Sequence, residues 1–347
     1  HRKPTTKCVK ARMIVRQVRH GSDDLDTFAA TATTCGARTL LALLAEKNRG
    51  GGGRWMASFG DVKTAFLHAP LPSPRKVFLR PPSTEPERLW KALKAIYGLR
   101  EAPRLFQEHL ALTIAKTGWT RLKVEPMVFV HTSGSLLSIF ADDLLLICEQ
   151  ARLEEIRATI GKSLSIVWGD ALTDGSGWHR YLGRHWMCKD GEFYVRVPPS
   201  YWTDLLSEVG LDKCKMVETP GDVTADKNAD ETLLGPEDHA AYRRVIGKVM
   251  WGSLVRPDLT YIVKELARKL AGPTCADRAK VRRLLRGTVD LVLRLTGHVV
   301  GMEAQSDGID VYADANWASG PSRRFTSGGV LFYKNTLIMS WSRTQPT

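Results

Sequence analysis

The most constraining feature is the run Leu136–Cys148, in which two apolar segments of strand length flank an adjacent carboxylate pair, Asp142 and Asp143. Apolar runs of this length, separated by a short polar step, predict a buried β-hairpin with both acids at its turn. Two neighbouring like charges repel each other, and burial increases the cost. A divalent cation that takes oxygen ligands, such as Mg²⁺, would remove that cost. An ordinary solvated turn is the alternative explanation.

A third carboxylate stands in Ser58–Leu67, where a strand-like start contains Asp61 and an apolar stretch that can form a helix follows. Three carboxylates that converge from two segments would form a cage for two metal ions. Such a pair of ions stabilises the attacking and leaving oxygens of a phosphoryl displacement. For Asp61 alone, a helix N-cap or a strand-end acid explains the residue equally simply.

The net charge of +13 over 347 residues is concentrated in two blocks. Residues 1–20 contain seven basic residues and no acid, and residues 241–300 contain thirteen basic residues against four acids. Two basic blocks around a carboxylate-bearing middle suit a polyanion that is held at its flanks and processed at the centre. A solvated cationic surface is the alternative for either block.

The remaining composition excludes several classes of protein. The six cysteines form no Cys-x-x-Cys pair, so a zinc site is not supported. The sequence shows no signal peptide at its start and no apolar run near the roughly 18 residues of a membrane span. We therefore expect reduced thiols and an intracellular location, cytoplasmic (in a virus-like particle), nuclear or both, with no membrane partner. The chain begins with His1 and is read as a piece of a longer polyprotein.

Periodicity predicts the coarse organisation. A helix is expected around residues 37–45, and a second one beginning near Pro103, with Phe106, Leu110 and Ile114 on one face and an end before Gly118. Residues 219–240 are predicted to be an exposed linker, and residues 241–290 to be helical. Residues 308–341 are read as short strands, with turns at Ser319–Pro321 and at Gly328–Gly329.

Several segments, in the same order, resemble the reverse transcriptase of Ty1/copia-type retrotransposons. The matching segments are Asp61–Leu67, Tyr97–Arg104, Phe140–Asp143, Tyr181–Gly183, Tyr242–Lys248, Arg256–Asp258 and Tyr312–Ala318. The last of them resembles the start of the tethered RNase H. The order and spacing of the matches extend over nearly the whole chain.

The resemblance implies an α+β fold of the right-hand polymerase type, in which the palm has an antiparallel sheet with packed helices. The implied domains are part of the fingers (1–55), the palm with intervening fingers elements (56–195), a basic helical thumb or connection (196–300) and an incomplete RNase H-like β segment (301–347). The implied activity is RNA-directed DNA polymerisation, with an RNA template, a DNA or RNA primer and dNTPs as partners. Further copies of the chain, or other products of the polyprotein, are additional candidate partners.

By the same resemblance, two Mg²⁺ or Mn²⁺ ions serve the reaction. Asp61 and Asp142 would hold both ions, Asp143 would be a weaker ligand or an electrostatic support, and the Val62 carbonyl would supply a further oxygen. Phe66 would lie under the nucleotide sugar and exclude a 2′ hydroxyl, although a helical phenylalanine is also an ordinary core residue.

Three further residues are candidates for contact with the nucleotide. Arg12, with Lys10 as a second candidate, would grip the triphosphate, since a guanidinium makes bidentate contacts with phosphate. Both side chains could equally be surface cations. Glu101 stands where the family usually has glutamine, and an acid placed near the nucleotide would repel phosphate.

For nucleic-acid contact, the candidates are Tyr181 and Gly183 in the segment that resembles the primer grip, and a stripe of arginines at i, i+4 spacing. The stripe consists of Arg278, Arg282 and Arg286. Arginines so placed repel one another, which makes a phosphate backbone an attractive partner, while a solvated outer face is the alternative.

Asp314 matches the principal acid of the RNase H remnant, and Asn316 stands where a second acid often occurs. RNase H catalysis needs about four carboxylates around two metals. We therefore expect no RNase H activity from these 347 residues.

Two alternatives to an active copia-type polymerase remain. A decayed copy of the element would bind nucleic acid without polymerising. A reverse transcriptase of another lineage would also accommodate Phe140–Asp143, but the Tyr97 and Tyr242 segments argue against it.

Overall fold

The computed structural model describes residues 13–17, 26–49, 54–73, 75–81, 87–221, 229–287, 292–295, 308–316 and 325–345. The α-helices of this part are α1 Thr34–Arg49, α2 Ala102–Ala115, α3 Leu153–Gly161, α4 Pro199–Glu208, α5 Pro236–Ser253, α6 Thr260–Ala267 and α7 Cys275–Arg286. The strands up to residue 149 are β1 Trp55–Val62, β2 Val77–Leu79, β3 Trp90–Ala92, β4 Trp119–Arg121, β5 Val128–His131, β6 Leu136–Phe140 and β7 Asp143–Glu149. The later strands are β8 Ile166–Leu172, β9 His179–Tyr181, β10 Arg184–Lys189, β11 Glu192–Arg196, β12 Leu293–Arg294, β13 Ile309–Asn316, β14 Thr326–Tyr333 and β15 Thr336–Thr344.

The chain divides into two compact units. The first comprises His1–Gly36 and Ser58–Gly169, and the second comprises Ala37–Ala57 and Asp170–Thr347. Helices alternate irregularly with sheets, and β4–β5, β5–β6, β6–β7, β10–β11 and β13–β14 pair antiparallel. The predicted mixture of helices and antiparallel sheets is therefore confirmed, while the assignment of fingers, palm, thumb and RNase H parts stays a prediction.

The first unit is built around a six-stranded sheet in the order β4-β5-β6-β7-β1-β8. The predicted hairpin is present, with β6 and β7 antiparallel and Phe140 opposite Asp143. Its apolar side chains form the core, and Leu137, Ile139 and Leu144 are fully buried. Each such residue contributes about 1.5–3 kcal/mol by leaving water, which stabilises the strands that carry the acidic turn.

Helix α2 matches its prediction closely. Pro103 occupies the first helical turn, where its missing N–H costs nothing. Phe106, Leu110 and Ile114 are buried along one face. The helix ends at Ala115, and Gly118 follows with a φ of 90°, a conformation that glycine adopts without steric cost.

The second unit contains two sheets, in the orders β12-β11-β10-β9 and β13-β14-β15. Helices α5, α6 and α7 fall in the region predicted to be helical. Helix α7 begins with a capping box, in which the side chains of Thr274 and Asp277 each accept a bond from the other residue's backbone N–H. The predicted strands of residues 308–341 are present as β13, β14 and β15.

Two local predictions were wrong. Residues 236–240 belong to α5 and not to a linker, because Pro236 begins the helix and Glu237 and Asp238 favour its positive N-terminal end. Gly328–Gly329 lies inside β14 and forms no turn. A Cβ atom at Gly329 would lie 2.3 Å from the ring of Trp341, so this glycine leaves space for the tryptophan of the neighbouring strand β15. The predicted turn Ser319–Pro321 lies outside the described residues.

Within the described residues, we find no helix that combines the length and the apolar character needed to cross a membrane.

Candidate active site

The end of β1 lies beside the turn of the β6–β7 hairpin. The backbone N–H of Val62 donates to the carbonyl oxygen of Asp142 at 2.8 Å. Asp61 is the residue immediately before Val62, and its side chain is exposed. One hydrogen bond therefore joins the two segments that the sequence predicted would converge.

The turn itself is tight because the strands on both sides are anchored in the core. Ala141 and Asp142 form the two-residue connection, and Ala141 adopts a φ of 54°. Asp142 and Asp143 are half-buried, and Asp143 is already the first residue of β7. The acidic pair therefore lies at the margin of the sheet and is partly accessible to solvent.

Asp61 is positioned from the other side of β1 as well. The N–H of Lys63 donates to the carbonyl of Ser165 at 2.8 Å. A Cβ atom on Gly60 would lie 2.7 Å from the ring of Trp168, so the indole rests directly on the β1 backbone. Arg157 stacks on that indole, 5.5 Å from the ring centroid. These contacts fix the strand at the residue just before the acid.

The donor set fits a metal only in part. Across the part of the chain that the structure describes, no three His, Cys, Asp or Glu side chains are grouped so that they could hold a metal ion. The predicted cage of Asp61, Asp142 and Asp143 is therefore not ready-made, and their joint role stays a prediction. Mg²⁺ is commonly held by one or two carboxylates together with water and substrate phosphates. A site of that kind would need only Asp61 and Asp142 of the three acids.

Phe66 lies in a short 3₁₀ helix, Ala65–His68, that follows Thr64 with a φ of 50°. Its ring is half-buried and packs against Tyr97, with 4.8 Å between ring centroids. A second contact with Phe106 spans 6.2 Å. The ring is thus supported from behind while part of it remains accessible, an arrangement compatible with both predicted roles.

Glu101 is buried, with 2% of its surface exposed. Its Oε2 atom lies 3.0 Å from Nη1 of Arg75, although the angle does not make this contact a hydrogen bond. The negative charge of Glu101, which departs from the glutamine usual in the family it resembles, is therefore countered by Arg75 within the chain. Sequence reasoning gave no sign of Arg75 as its partner.

The motif that contains Tyr97 forms hydrogen bonds with residues 15–17 of the N-terminal region. Val15 N–H donates to the Tyr97 carbonyl at 2.8 Å, and Arg100 N–H donates to the Gln17 side chain at 2.8 Å. Gly98 has a φ of 93°, and a Cβ there would lie 1.8 Å from the Val15 carbonyl oxygen. Only glycine permits this approach. Lys10 and Arg12 lie outside the described residues.

Tyr181 and Gly183 belong to a hairpin turn of the second unit. Leu182 and Gly183 have φ values of 49° and 70°, the pattern of a type I′ turn between β9 and β10. The Tyr181 side chain is buried, and its carbonyl accepts a hydrogen bond from the Trp186 indole at 3.1 Å. Gly183 lies against the ring of Trp251. A role in nucleic-acid contact for this turn stays a prediction.

The arginine stripe of α7 has partners inside its own unit. Arg278 forms an ion pair of 2.5 Å with Asp238. Arg282 donates to the Val209 carbonyl at 2.9 Å, and Arg286 donates to the Lys215 carbonyl at 2.7 Å. The stripe therefore ties α7 to neighbouring segments, a structural use that neither reading of the sequence included. Arg278 and Arg282 remain exposed.

Asp314 is exposed on β13, directly opposite Gly328 of β14. It lines a cavity of about 560 Å³ together with Tyr261, Tyr312 and Trp341. Its role as the remnant of a nuclease site stays a prediction.

Comparison with known proteins assigns the chain to a family. A family model described as reverse transcriptase (RNA-dependent DNA polymerase) matches residues 3–221, more than half of the chain. The chain belongs to the reverse transcriptase family. The matched region includes Asp61 and the whole β6–β7 hairpin with Asp142 at its turn.

The relatives agree with this assignment. The chain is 25% identical over 354 residues to the retrovirus-related Pol polyprotein from transposon RE2 of Arabidopsis thaliana, and 24% identical to that from transposon RE1. Each alignment covers 96% of this chain but 22% of the polyprotein. The transposon Ty5-1 protein of Saccharomyces cerevisiae is 23% identical, over 81% of this chain and 91% of its own length. The predicted resemblance to copia-type retrotransposon reverse transcriptases is confirmed.

Proposed function

We propose that the chain is an active RNA-directed DNA polymerase of an LTR retrotransposon, which adds a dNTP to a primer 3′ hydroxyl by two-metal nucleotidyl transfer. The observation that carries the proposal is the hydrogen bond from Val62 to Asp142, which sets the Asp61 strand end beside the acidic turn. Family membership supports the reaction class. The right-hand division into fingers, palm and thumb is part of the same proposal.

Asp61 and Asp142 would hold two Mg²⁺ or Mn²⁺ ions, with Asp143 and the Val62 carbonyl in support. Bound there, the ions would lower the pKa of the primer hydroxyl and neutralise the triphosphate and the departing pyrophosphate. The contribution of the protein's own residues is to hold the acids in position. Because β1 is fixed by Ser165 and Trp168 on one side and by Asp142 on the other, the backbone that carries Asp61 would need little reorganisation when substrate arrives, while the carboxylate side chains would still have to converge on the ions.

Phe66 would select the sugar. Its contact with Tyr97 would hold the ring in place, so a 2′ hydroxyl on the sugar above it would clash with the ring. Lys10 and Arg12 are proposed for the triphosphate. Glu101 would act near the nucleotide only through its neighbours, because it is buried against Arg75.

The template and primer are proposed to contact Tyr181–Gly183 and the α7 stripe. Arginine carries five N–H donors, and the bonds of Arg278 to Asp238 and of Arg282 to the Val209 carbonyl use one nitrogen each. Donors therefore remain for phosphate oxygens without loss of the intramolecular bonds. Asp314 is proposed as the acid of an incomplete RNase H-like segment.

Primer extension on poly(rA)–oligo(dT) with dTTP and Mg²⁺ or Mn²⁺ tests the proposal. We expect extension by the full chain and a loss of about 10³-fold or more in Asp142→Asn, since several kcal/mol of charge stabilisation disappear. Asp204→Asn, an exposed acid on α4, is the matched control and should retain full activity. A chain that binds the hybrid but extends no primer would contradict the proposal and indicate a decayed copy.

A further inference from the structure

The β2–β3 hairpin presents an exposed face that the catalytic proposal does not use. Phe78 of β2 lies opposite Lys91 of β3, and the neighbouring pairs are Val77 with Ala92 and Leu79 with Trp90. Since residues directly opposite each other in an antiparallel pair project from the same face, Phe78 and Lys91 share one face. Phe78 is 56% exposed, so its ring is open to solvent.

The neighbouring residues on the same side of the two segments are also cationic or apolar. Along the two segments they are Lys76, Arg80, Leu89 and Leu93, and all four are exposed. Leu89 and Leu93 expose 68% and 73% of their surface. These six described side chains therefore combine three cations with three apolar groups, and Glu87, at the next alternating position beyond Leu89, is an exposed acid beside them.

We propose that this face of the β2–β3 hairpin is a binding site for single-stranded nucleic acid. An aromatic ring accepts a base on its π-face, and cations beside it neutralise the phosphates on either side. A duplex presents phosphates but keeps its bases stacked inside, so it would leave Phe78 unused. A protein partner would favour a continuous apolar surface, whereas here a cation accompanies each apolar side chain.

Lysines on exposed strands also discourage pairing between sheets, and that function alone could account for Lys76 and Lys91. It does not account for Phe78, because an exposed ring on an outer strand increases the tendency to associate. A ligand that covers the ring while tolerating the charges resolves the conflict.

The hairpin is rooted next to the candidate sugar-selecting residue. Ala95 N–H donates to the Ala69 carbonyl at 2.9 Å, one residue beyond the 3₁₀ helix that contains Phe66. From Ala95 to Trp90 the chain advances about 17 Å at strand spacing. The exposed face is thus within a few nucleotides of the site. Identification of the bound strand as unpaired template rests on the proposed function, whereas binding as such does not.

Binding of fluorescein-labelled oligo(rU) to the full chain, and of a duplex RNA of equal length, tests the inference. We expect Phe78→Ala to weaken single-strand binding by roughly 5- to 100-fold, and duplex binding by less than about 2-fold. Phe78→Trp should restore single-strand binding, and Phe78→Leu should not. Lys91→Gln should lower the slope of log affinity against log salt by about 0.7.

Phe28→Ala and Lys162→Gln are the matched controls, since both residues are exposed and lie outside the hairpin. Unchanged oligo(rU) affinity in Phe78→Ala would overturn the inference even if the chain extends primers. Equal weakening for single strand and duplex would also overturn it. Selective weakening in a chain that extends no primer would uphold the inference and refute the proposed polymerase.

Discussion

Asp61 and Asp314 are both exposed acids on strands of eight residues, but their strands are held differently. β1 lies between β7 and β8 in its sheet, whereas β13, among the described strands, pairs with β14 alone. Asp61 therefore has a second acidic segment beside it, and Asp314 faces Gly328. On the proposed function, the difference between the two acids is that neighbouring segments fix the Asp61 strand from both sides and one of them carries further acidic residues.

The largest expected difference concerns the acids themselves. Asp61→Asn should reduce primer extension by about 10³-fold, because it removes a carboxylate from the proposed metal site. Asp314→Asn should change extension by less than about 2-fold. Steady-state incorporation of dTTP measures both. Equal losses in the two variants would erase the distinction between the regions.

The second difference concerns glycines that lie under tryptophans. Gly60, the residue before Asp61, lies against the ring of Trp168. Gly329 of β14 lies against the ring of Trp341 of β15. Gly60→Ala should push β1 or the indole aside, and a shift of about 1 Å at a catalytic group can cost 10²-fold in rate. Gly329→Ala should lower the thermal stability of its sheet and leave extension unchanged.

A double variant identifies the cause. In a Trp168→Ala background, Gly60→Ala should cost little further activity, because the clash has been removed and the two changes are coupled. Additive losses would mean that Gly60 acts through something other than the indole.

The third difference concerns aromatic pairs. Phe66 packs on Tyr97 in the first unit, and Tyr312 packs on Phe332 in the second, with 6.2 Å between ring centroids. Phe66→Ala should raise incorporation of ribonucleotides relative to deoxynucleotides by roughly 10- to 100-fold, since the ring no longer meets the 2′ hydroxyl. Phe332→Ala should leave that ratio unchanged. An unaltered ratio in Phe66→Ala would return the residue to a purely packing role.

Sequence patterns captured the features that depend on local order. The apolar runs around Asp142 predicted the hairpin, and the spacing of Phe106, Leu110 and Ile114 predicted α2. The order of the motifs identified the family. These signals are periodic or contiguous, so they can be read without knowledge of distant contacts.

The supports of the site could not be predicted in this way. Trp168 meets Gly60 across more than a hundred residues, and Arg75 meets Glu101 between a loop and the start of a helix. Neither pairing leaves a period in the sequence. Gly329 was misread for the same reason, because the tryptophan that requires its small size comes from another strand.

The smallest expected difference concerns acidification. Burial, reinforced by the positive charges of His68, Lys94 and Lys116, holds the pKa of His109 on α2 below its ordinary value of 6.5. Because the folded state disfavours the protonated ring, this contribution to stability is complete above about pH 6.5 and is lost as the pH falls through the lowered pKa. The segment Ile309–Thr344 contains no histidine.

Hydrogen exchange of the α2 peptides, corrected for intrinsic rates, should therefore increase between about pH 7 and pH 5, and that of β13–β15 should not. His109→Gln should remove the increase, whereas His179→Gln in the second unit should leave it unchanged. If α2 exchanged faster at low pH in His109→Gln as well, another group would have to link acidification to the helix. The burial of His109 would then not explain why α2 and the β13–β15 sheet respond differently to pH.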